Sequence, residues 1–176
     1  VTFFSPSGYD NSLNYPHADI ISYIPIDTAA NMERFLRLVQ PDLVVFMRYD
    51  IWPNLIWLMN NRNIPWFIVD ATMRGDSKRK WMASKNFHNT LYRNVAKILT
   101  VSAHDAKNFL EFDIEKKNVK AVGDTRFDRV YQKSLYAKNY KLFPANVFKN
   151  KKVFVFGSSW ESDEEVLLPP LIRLIS

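Results

Sequence analysis

Residues 41–54 read Pro41-Asp42-Leu43-Val44-Val45-Phe46-Met47-Arg48-Tyr49-Asp50-Ile51-Trp52-Pro53-Asn54, and this stretch decides how the chain is read. Leu43 to Phe46 is an uninterrupted apolar run of strand length, which reads as a buried strand. Arg48, Tyr49 and Asp50 turn it polar, and Pro53 opens a second apolar segment through Leu55, Ile56, Leu58 and Met59. Proline costs little at a first helical position, because that N–H has no partner inside the helix. A strand that ends in charged and aromatic residues just before a helix is how open α/β sheets present a ligand site.

The alternation extends in both directions. Upstream, Val1 to Phe4 is a short β run, and Ser5 to Tyr9 is a Ser/Pro/Gly turn. Ala18 to Ile24 is a second strand ended by Pro25. Asp27 and Thr28 offer a helix cap. Met32, Phe35, Leu36 and Val39 then fall on one helical face, and Pro41 stops that helix. Downstream, Pro65 to Val69 is a strand, Asp70 to Lys80 is polar and basic, and Trp81 to Tyr92 is helical. Ala96 to Val101 is the next strand. Ser102 and Asp105 form a weak capping pair for a helix with Ala106, Phe109 and Leu110 on its apolar face. Val119 to Val122 is a further strand. The order β-β-α-β-α-β-α-β-α-β-α predicts the α/β class, a Rossmann-like parallel sheet whose right-handed crossovers place helices on both faces.

Beyond residue 136 the character changes. Residues 137–152 are basic, lack a clean period and read as a linker. Val153 to Phe156 begins a new strand, followed by Gly157-Ser158-Ser159-Trp160. Ser162 and Glu165 form a capping box, and Pro169-Pro170 should kink or break the helix that follows. The expected organisation is one domain over 1–136, a linker over 137–152, and the first βα unit of a second domain over 153–176. The chain opens as if mid-strand and closes as if mid-helix, which predicts a piece of a longer protein.

Composition narrows the chemistry. Of 176 residues, 47% are hydrophobic and 15% aromatic, so the chain is globular. It has no cysteine, which excludes a disulfide framework, a thiolate zinc site and a cysteine nucleophile. Its 24 Lys and Arg against 18 Asp and Glu give a formal charge of +6, a balance that either reflects an ordinary Lys-rich soluble surface or favours phosphates, nucleotides, acidic lipid head groups or nucleic acid as partners. No apolar run approaches the roughly 20 residues of a spanning helix. His17, His88 and His104 lack metal-ligand spacing, and no nucleophile elbow supports Ser–His–Asp chemistry. No nucleic-acid recognition motif accompanies the positive charge.

Four clusters carry candidate chemistry. Gly157-Ser158-Ser159 between a strand and a helix start suits a phosphate, through backbone N–H groups and hydroxyls, or is an ordinary α/β turn. Gly123-Asp124-Thr125-Arg126-Phe127-Asp128-Arg129 follows a strand directly. It reads as an anion-binding rim or as a local Asp–Arg ladder at a helix start. Asp50 is placed to orient a hydroxyl, to act as a base, or to cap the helix after it. Arg74, Lys78, Arg79 and Lys80 suit phosphates or form a solvated face.

Taken as an ordered set, several of these pieces resemble the 3-deoxy-D-manno-octulosonic acid (Kdo) transferases of lipopolysaccharide synthesis. The matching residues are Val1 to Tyr9, Pro41-Asp42-Leu43, Tyr49 to Asn54, Gly123 to Val130, and Gly157-Ser158-Ser159-Trp160 with Asp163-Glu164. The resemblance implies the N-terminal half of a GT-B glycosyltransferase, with a phosphorylated lipid A precursor as acceptor and CMP-Kdo as donor. It implies inversion at the anomeric carbon, no cofactor or bound metal, and work at the cytoplasmic face of the inner membrane, either peripherally or through an anchoring segment that is not among these residues. Ser7, Arg48, Asp50 and Arg74 would serve the acceptor, with Asp50 as a supporting carboxylate. Arg126, Ser158, Ser159 and Trp160 would serve the donor. The family's general base is a Glu upstream of what is Val1 here, so the chain by itself is expected not to turn over. The family's usual Lys-Tyr-Glu is Arg48-Tyr49-Asp50 in this chain, which keeps the charges but shortens the acid by one methylene. Other readings are a different GT-B transferase, a nucleotide-sugar epimerase, or a non-catalytic module binding anionic lipid or nucleic acid through Arg74 to Lys80.

Overall fold

The computed structural model of the chain describes residues 1–140, 143–144 and 146–175, so the expected linker lies partly outside the described residues. The chain divides into two compact units, Val1–Arg129 and Val130–Ser176.

In the first unit, β1 (Thr2–Phe3) and β2 (Ser22–Tyr23) pair in parallel, with α1 (Pro6–Asp10) between them. The second strand is much shorter than the expected 18–24, since only its end finds a partner. A four-stranded parallel sheet follows, in the order β3 (Val44–Met47), β4 (Trp66–Ala71), β5 (Lys97–Thr100) and β6 (Val119–Ala121). Val44 pairs with Trp66, Phe67 with Lys97 and Ile98 with Val119. Parallel neighbours need crossovers. Here α3 (Pro53–Asn61), α4 (Met82–Tyr92) and α5 (Ala103–Phe109) supply them, with α2 (Ala29–Val39) packed on α3. The architecture is the expected α/β one, a Rossmann-like parallel sheet flanked by helices.

The core forms where helix stripes meet the sheet. Met32 and Leu36 of α2, Ile56 and Met59 of α3 and Leu91 and Tyr92 of α4 are buried with Trp66, Ile68 and Ile98. Trp66 keeps its indole N–H satisfied by donating to Asn60 Oδ1 at 3.0 Å. In the decisive 43–46 run only Phe46 is buried, and Leu43 and Val45 stay about half exposed. The reason is position: β3 is an edge strand of its sheet.

Side-chain caps set three of the helices. The Thr28 hydroxyl accepts the Asn31 N–H at the start of α2. Asp27 instead caps α3 from a distance, its carboxylate accepting the N–H groups of Asn54 at 3.1 Å and Leu55 at 3.2 Å. Asp50 is therefore not the cap of α3. Ser102 and Asp105 do form the expected pair at α5: the Asp105 N–H donates to the Ser102 hydroxyl, which bonds the Asp105 carboxylate in return.

The second unit differs from expectation in three ways. Val153 to Phe156 is in no strand, because no described strand lies beside it to complete a ladder. The final helix, α7 (Glu161–Ile175), begins before Ser162, so the Ser162–Glu165 box does not cap it. Its cap bond runs from the Trp160 N–H to the Asp163 carboxylate at 3.0 Å. Pro169 and Pro170 lie inside α7, which runs on through both. The preceding helix, α6 (Thr125–Lys138), starts in the first unit and ends in the second.

Candidate functional site

The carboxyl edge of the four-stranded sheet gathers charges from three strands. Arg48 follows β3, Asp70 stands near the end of β4, and Gly123-Asp124 links β6 to α6. Each strand end leaves extended geometry in the left-handed sense, with φ of +60° at Arg48, +51° at Asp70 and +105° at Gly123. Left-handed backbone is disfavoured for residues with a Cβ and gathers at functional sites. Asp is among the side chains that tolerate it.

Asp70 is buried. It accepts the Thr125 N–H at 3.1 Å and the Thr125 hydroxyl at 2.6 Å, which fixes the first turn of α6. Asp124 is buried as well and takes a two-pronged contact from the Arg126 guanidinium, at 3.0 Å from Nε and 2.6 Å from Nη2. The Arg126 N–H donates to the same carboxylate at 2.9 Å. Arg48 stands between the two acids, with Nη2 3.6 Å from Asp124 and 3.8 Å from Asp70. These last are ion-pair distances, longer than hydrogen bonds.

The electrostatics follow from this geometry. The Arg126 side-chain hydrogen bonds, opposed by burial and aided by the Arg126 N–H and the charges of Arg126 and Arg48, lower the Asp124 carboxyl from its ordinary 3.8 to about 2. The reciprocal interaction raises Arg126. Asp124 is thus a committed anion held by cations. The Arg48 guanidinium is one-quarter exposed and the Arg126 guanidinium two-thirds exposed, so both cations also face solvent. Such an edge can receive an anion without first exposing a buried charge.

A pocket of about 260 Å³ adjoins this edge, lined by Tyr49, Thr72, Met73, Arg74, Ser77 and Arg79. Arg79 spans its wall, donating to the Tyr49 carbonyl at 3.1 Å and to the Tyr92 hydroxyl at 3.3 Å. A larger hollow of about 420 Å³ opens among Trp57, Asn60, Asn61, Thr90, Arg93 and Asn94. It lies at the other end of the sheet, has no carboxylate in its wall, and is the weaker candidate for chemistry. Among the described residues no three acidic or imidazole side chains converge as a metal-holding group.

The structure brings together Arg48, Asp124 and Arg126 from the sequence reading. Arg74 reaches the pocket wall while pairing with Asp76 at 2.9 Å. Asp50 is exposed, and among the described residues no side chain is hydrogen-bonded or ion-paired to its carboxylate. Ser7 sits in α1, beside Asn11, whose side chain donates to its carbonyl at 2.8 Å. Ser158 (φ +57°), Ser159, which donates to Glu164 at 2.8 Å, and the exposed Trp160 belong to the second unit. Sequence reasoning missed Asp70 as a centre of the site. The available signal was a lone acid closing the apolar run Trp66-Phe67-Ile68-Val69. The basic stretch of residues 74–80 proves largely committed: Arg79 as above, and Lys80 to Asn108 and Glu111, each at 2.8 Å.

Fold and site together define a Rossmann-like α/β protein with an ionic cluster at the carboxyl edge of its parallel sheet. A family profile described as 3-deoxy-D-manno-octulosonic-acid transferase (kdotransferase) matches residues 1–129, and the chain belongs to that family. Among curated relatives, a Rickettsia conorii 3-deoxy-D-manno-octulosonic acid transferase is 28% identical, over 90% of this chain and 33% of its own length. The Haemophilus influenzae protein of the same name is 24% identical, over 95% of this chain and 39% of its own length. A Fusobacterium nucleatum bifunctional glycosyltransferase/methyltransferase is 25% identical, over 99% of this chain and 28% of its own length. The chain thus spans about a third of the length of the relatives it matches. Among solved structures, the UDP-N-acetylglucosamine 2-epimerase from Rickettsia bellii superposes with a TM-score of 0.53 at 14% identity, covering 78% of this chain and 40% of that one. That likeness is one of fold.

Proposed function

We propose that the full-length protein transfers Kdo from CMP-Kdo to a phosphorylated lipid A precursor, with inversion, at the cytoplasmic face of the inner membrane. One observation carries this reading: the family match over residues 1–129 coincides with the compact unit whose sheet edge bears the ionic cluster. In the reaction an acceptor hydroxyl oxygen bonds to the anomeric carbon of Kdo. The bond from that carbon to the CMP phosphate oxygen breaks, and CMP leaves with the electron pair. The hydroxyl proton passes to a carboxylate base, the Glu expected upstream of Val1.

This chain's residues bind and orient. Arg48, with Arg74 at the neighbouring pocket, holds acceptor phosphate, and Ser7 adds a hydroxyl donor. The exposed carboxylate of Asp50 orients the acceptor hydroxyl. Arg126, with Ser158, Ser159 and Trp160, serves the donor's phosphate and carboxylate. Residues 1–136 form the acceptor-side domain, 137–152 a linker, and 153–176 the start of the donor domain. Asp70 and Asp124 hold the two arginines in place before substrate arrives, which spares the cost of ordering them at that moment.

Calorimetric titration of CMP-Kdo into the full-length protein and its Arg126→Ala and Ser158→Ala variants tests the donor assignments. Each variant should bind about tenfold to a hundredfold more weakly, the range expected for losing a hydrogen bond to a charged group. Unchanged affinity in both removes those assignments, and preference for a UDP-sugar donor overturns the function.

A further inference from the structure

The turn that carries Arg48 and Asp50 has few bonds of its own. Arg48 stands in the left-handed region, with φ of +60°, and a residue with a Cβ stays there only where its surroundings hold it. Its N–H donates to the Val69 carbonyl at 2.8 Å, and the Asp50 N–H closes the turn on the Met47 carbonyl at 3.2 Å. The Tyr49 carbonyl accepts the Ile51 N–H at 3.0 Å and, from outside the turn, the Arg79 guanidinium at 3.1 Å. Among the described residues, no other side chain bonds the backbone of residues 48–50. Arg79 is itself held from two directions. Its other terminal nitrogen donates to the hydroxyl of Tyr92, which is fully buried, at 3.3 Å. It also lies in the short 3-10 turn Lys78–Lys80, where the Ser77 hydroxyl accepts the Arg79 N–H at 3.4 Å. Next in sequence, Lys80 ties that turn to Asn108 of α5. Asn108 in turn donates to the Met73 carbonyl at 2.7 Å, and Asp105 accepts the Met73 N–H at 2.8 Å. The basic run is therefore a brace between α5, α4 and the end of β3.

We propose that Arg79 is a positioning residue: its bridge from the Tyr92 hydroxyl to the Tyr49 carbonyl fixes the turn that aims Arg48 at the acceptor's phosphate. The inference rests on the proposed function for what Arg48 binds, not for the bridge itself. The role needs a fork. Two nitrogens of one rigid plane reach two separate oxygens. A lysine is a single point of charge on a flexible stem and reaches one oxygen at a time. An Arg79 that instead held phosphate directly would need only its charge, and lysine would serve. Arg48 gains most from the bridge because its side chain has no short hydrogen bond of its own. It stands 3.6 Å from Asp124 and 3.8 Å from Asp70, so its direction follows from where its backbone is held.

The experiment combines steady-state transfer with hydrogen–deuterium exchange of the full-length protein, for the parent, Arg79→Met and Arg79→Lys, each with and without Arg48→Ala. Arg79→Met should raise the acceptor KM about tenfold, from the loss of a hydrogen bond made by a charged donor, with kcat within about twofold and the CMP-Kdo KM unchanged. Arg79→Lys should match it. In the Arg48→Ala background Arg79→Met should add less than about twofold, because residues that act through one another are not additive. The amides of Asp50 and Ile51 should exchange about tenfold faster in Arg79→Met, while those of β4 stay protected. Repeating the set in a Tyr92→Phe background removes the hydroxyl that Arg79→Met leaves buried without a partner, which keeps a loss of folding from standing in for a loss of positioning. A parent-like KM in Arg79→Lys, or costs that add in the double variant, overturns the proposal and makes Arg79 a phosphate ligand in its own right. Unchanged exchange at Asp50 and Ile51 overturns it as well. Faster exchange there, in a protein whose parent form transfers no Kdo, would sink the proposed function and leave the bridge standing.

Discussion

At Asp124 a buried carboxylate takes one cation from its own turn and a second from a strand far away in sequence. Its carboxyl titrates near 2 in the folded chain instead of 3.8. The sign follows from that lowering. The stabilisation it gives is fully present above pH 3.8 and is lost as pH falls through about 2. An Asp124→Asn variant should be less stable than the parent at neutral pH and show a flatter acid limb across that window, read as urea midpoints in a pH series. Equal pH dependence in the two proteins would show that the Arg126 contact does not hold in solution. Arg48, Asp124 and Arg126 were legible as charges placed directly after strands. Asp70 was not: it reads as the first residue of a basic loop, and its partner Thr125 is 55 residues away. Nothing local in a sequence announces a hydrogen bond of that span. Arg79 and Lys80 show the converse. As a charge run they suggested a phosphate surface, but their partners, the Tyr49 carbonyl and the Asn108 side chain, become neighbours only on folding.

Among the elements, helices α2 and α5 were readable because apolar spacing and cap residues agree along each of them. Cap ownership was less readable. Asp27 adjoins Thr28 and looks like part of the same cap, but it serves α3 through two backbone N–H groups. An Asp27→Ala variant should therefore lose about 1–2 kcal/mol of stability, the range for helix-cap removal, measured by denaturant unfolding. A Thr28→Ala variant tests the other helix independently, and a strongly non-additive double variant would argue that the two caps are one unit. The mis-read segment, Val153 to Phe156, shows the limit of composition. Four β-favouring residues in a row satisfy strand propensity, but a strand exists only as a pair.

For the molecule as a whole, burial is concentrated in the first unit, where Trp66, Ile68 and Ile98 sit in paired strands. Val153 to Phe156 of the second unit are exposed. In hydrogen–deuterium exchange of this chain, amides of β4 and β5 should be protected longest and those of 153–156 should exchange fastest. Uniform protection across both would contradict this distribution. The class of fold was legible from the alternation of strands and helices, and the family from its ordered motifs; the ionic edge needed three dimensions. The strand order has one further consequence. Because β3, β4, β5 and β6 lie side by side in the order in which they are made, each new strand leaving the ribosome finds its neighbour already in place. The sheet can grow one crossover at a time from its first edge, without waiting for a later segment to thread between finished strands. Arg48 and Asp70 are then set before Asp124 emerges. The ionic edge closes as the last strand docks, so a nascent chain reports completion of its sheet by burying that one carboxylate.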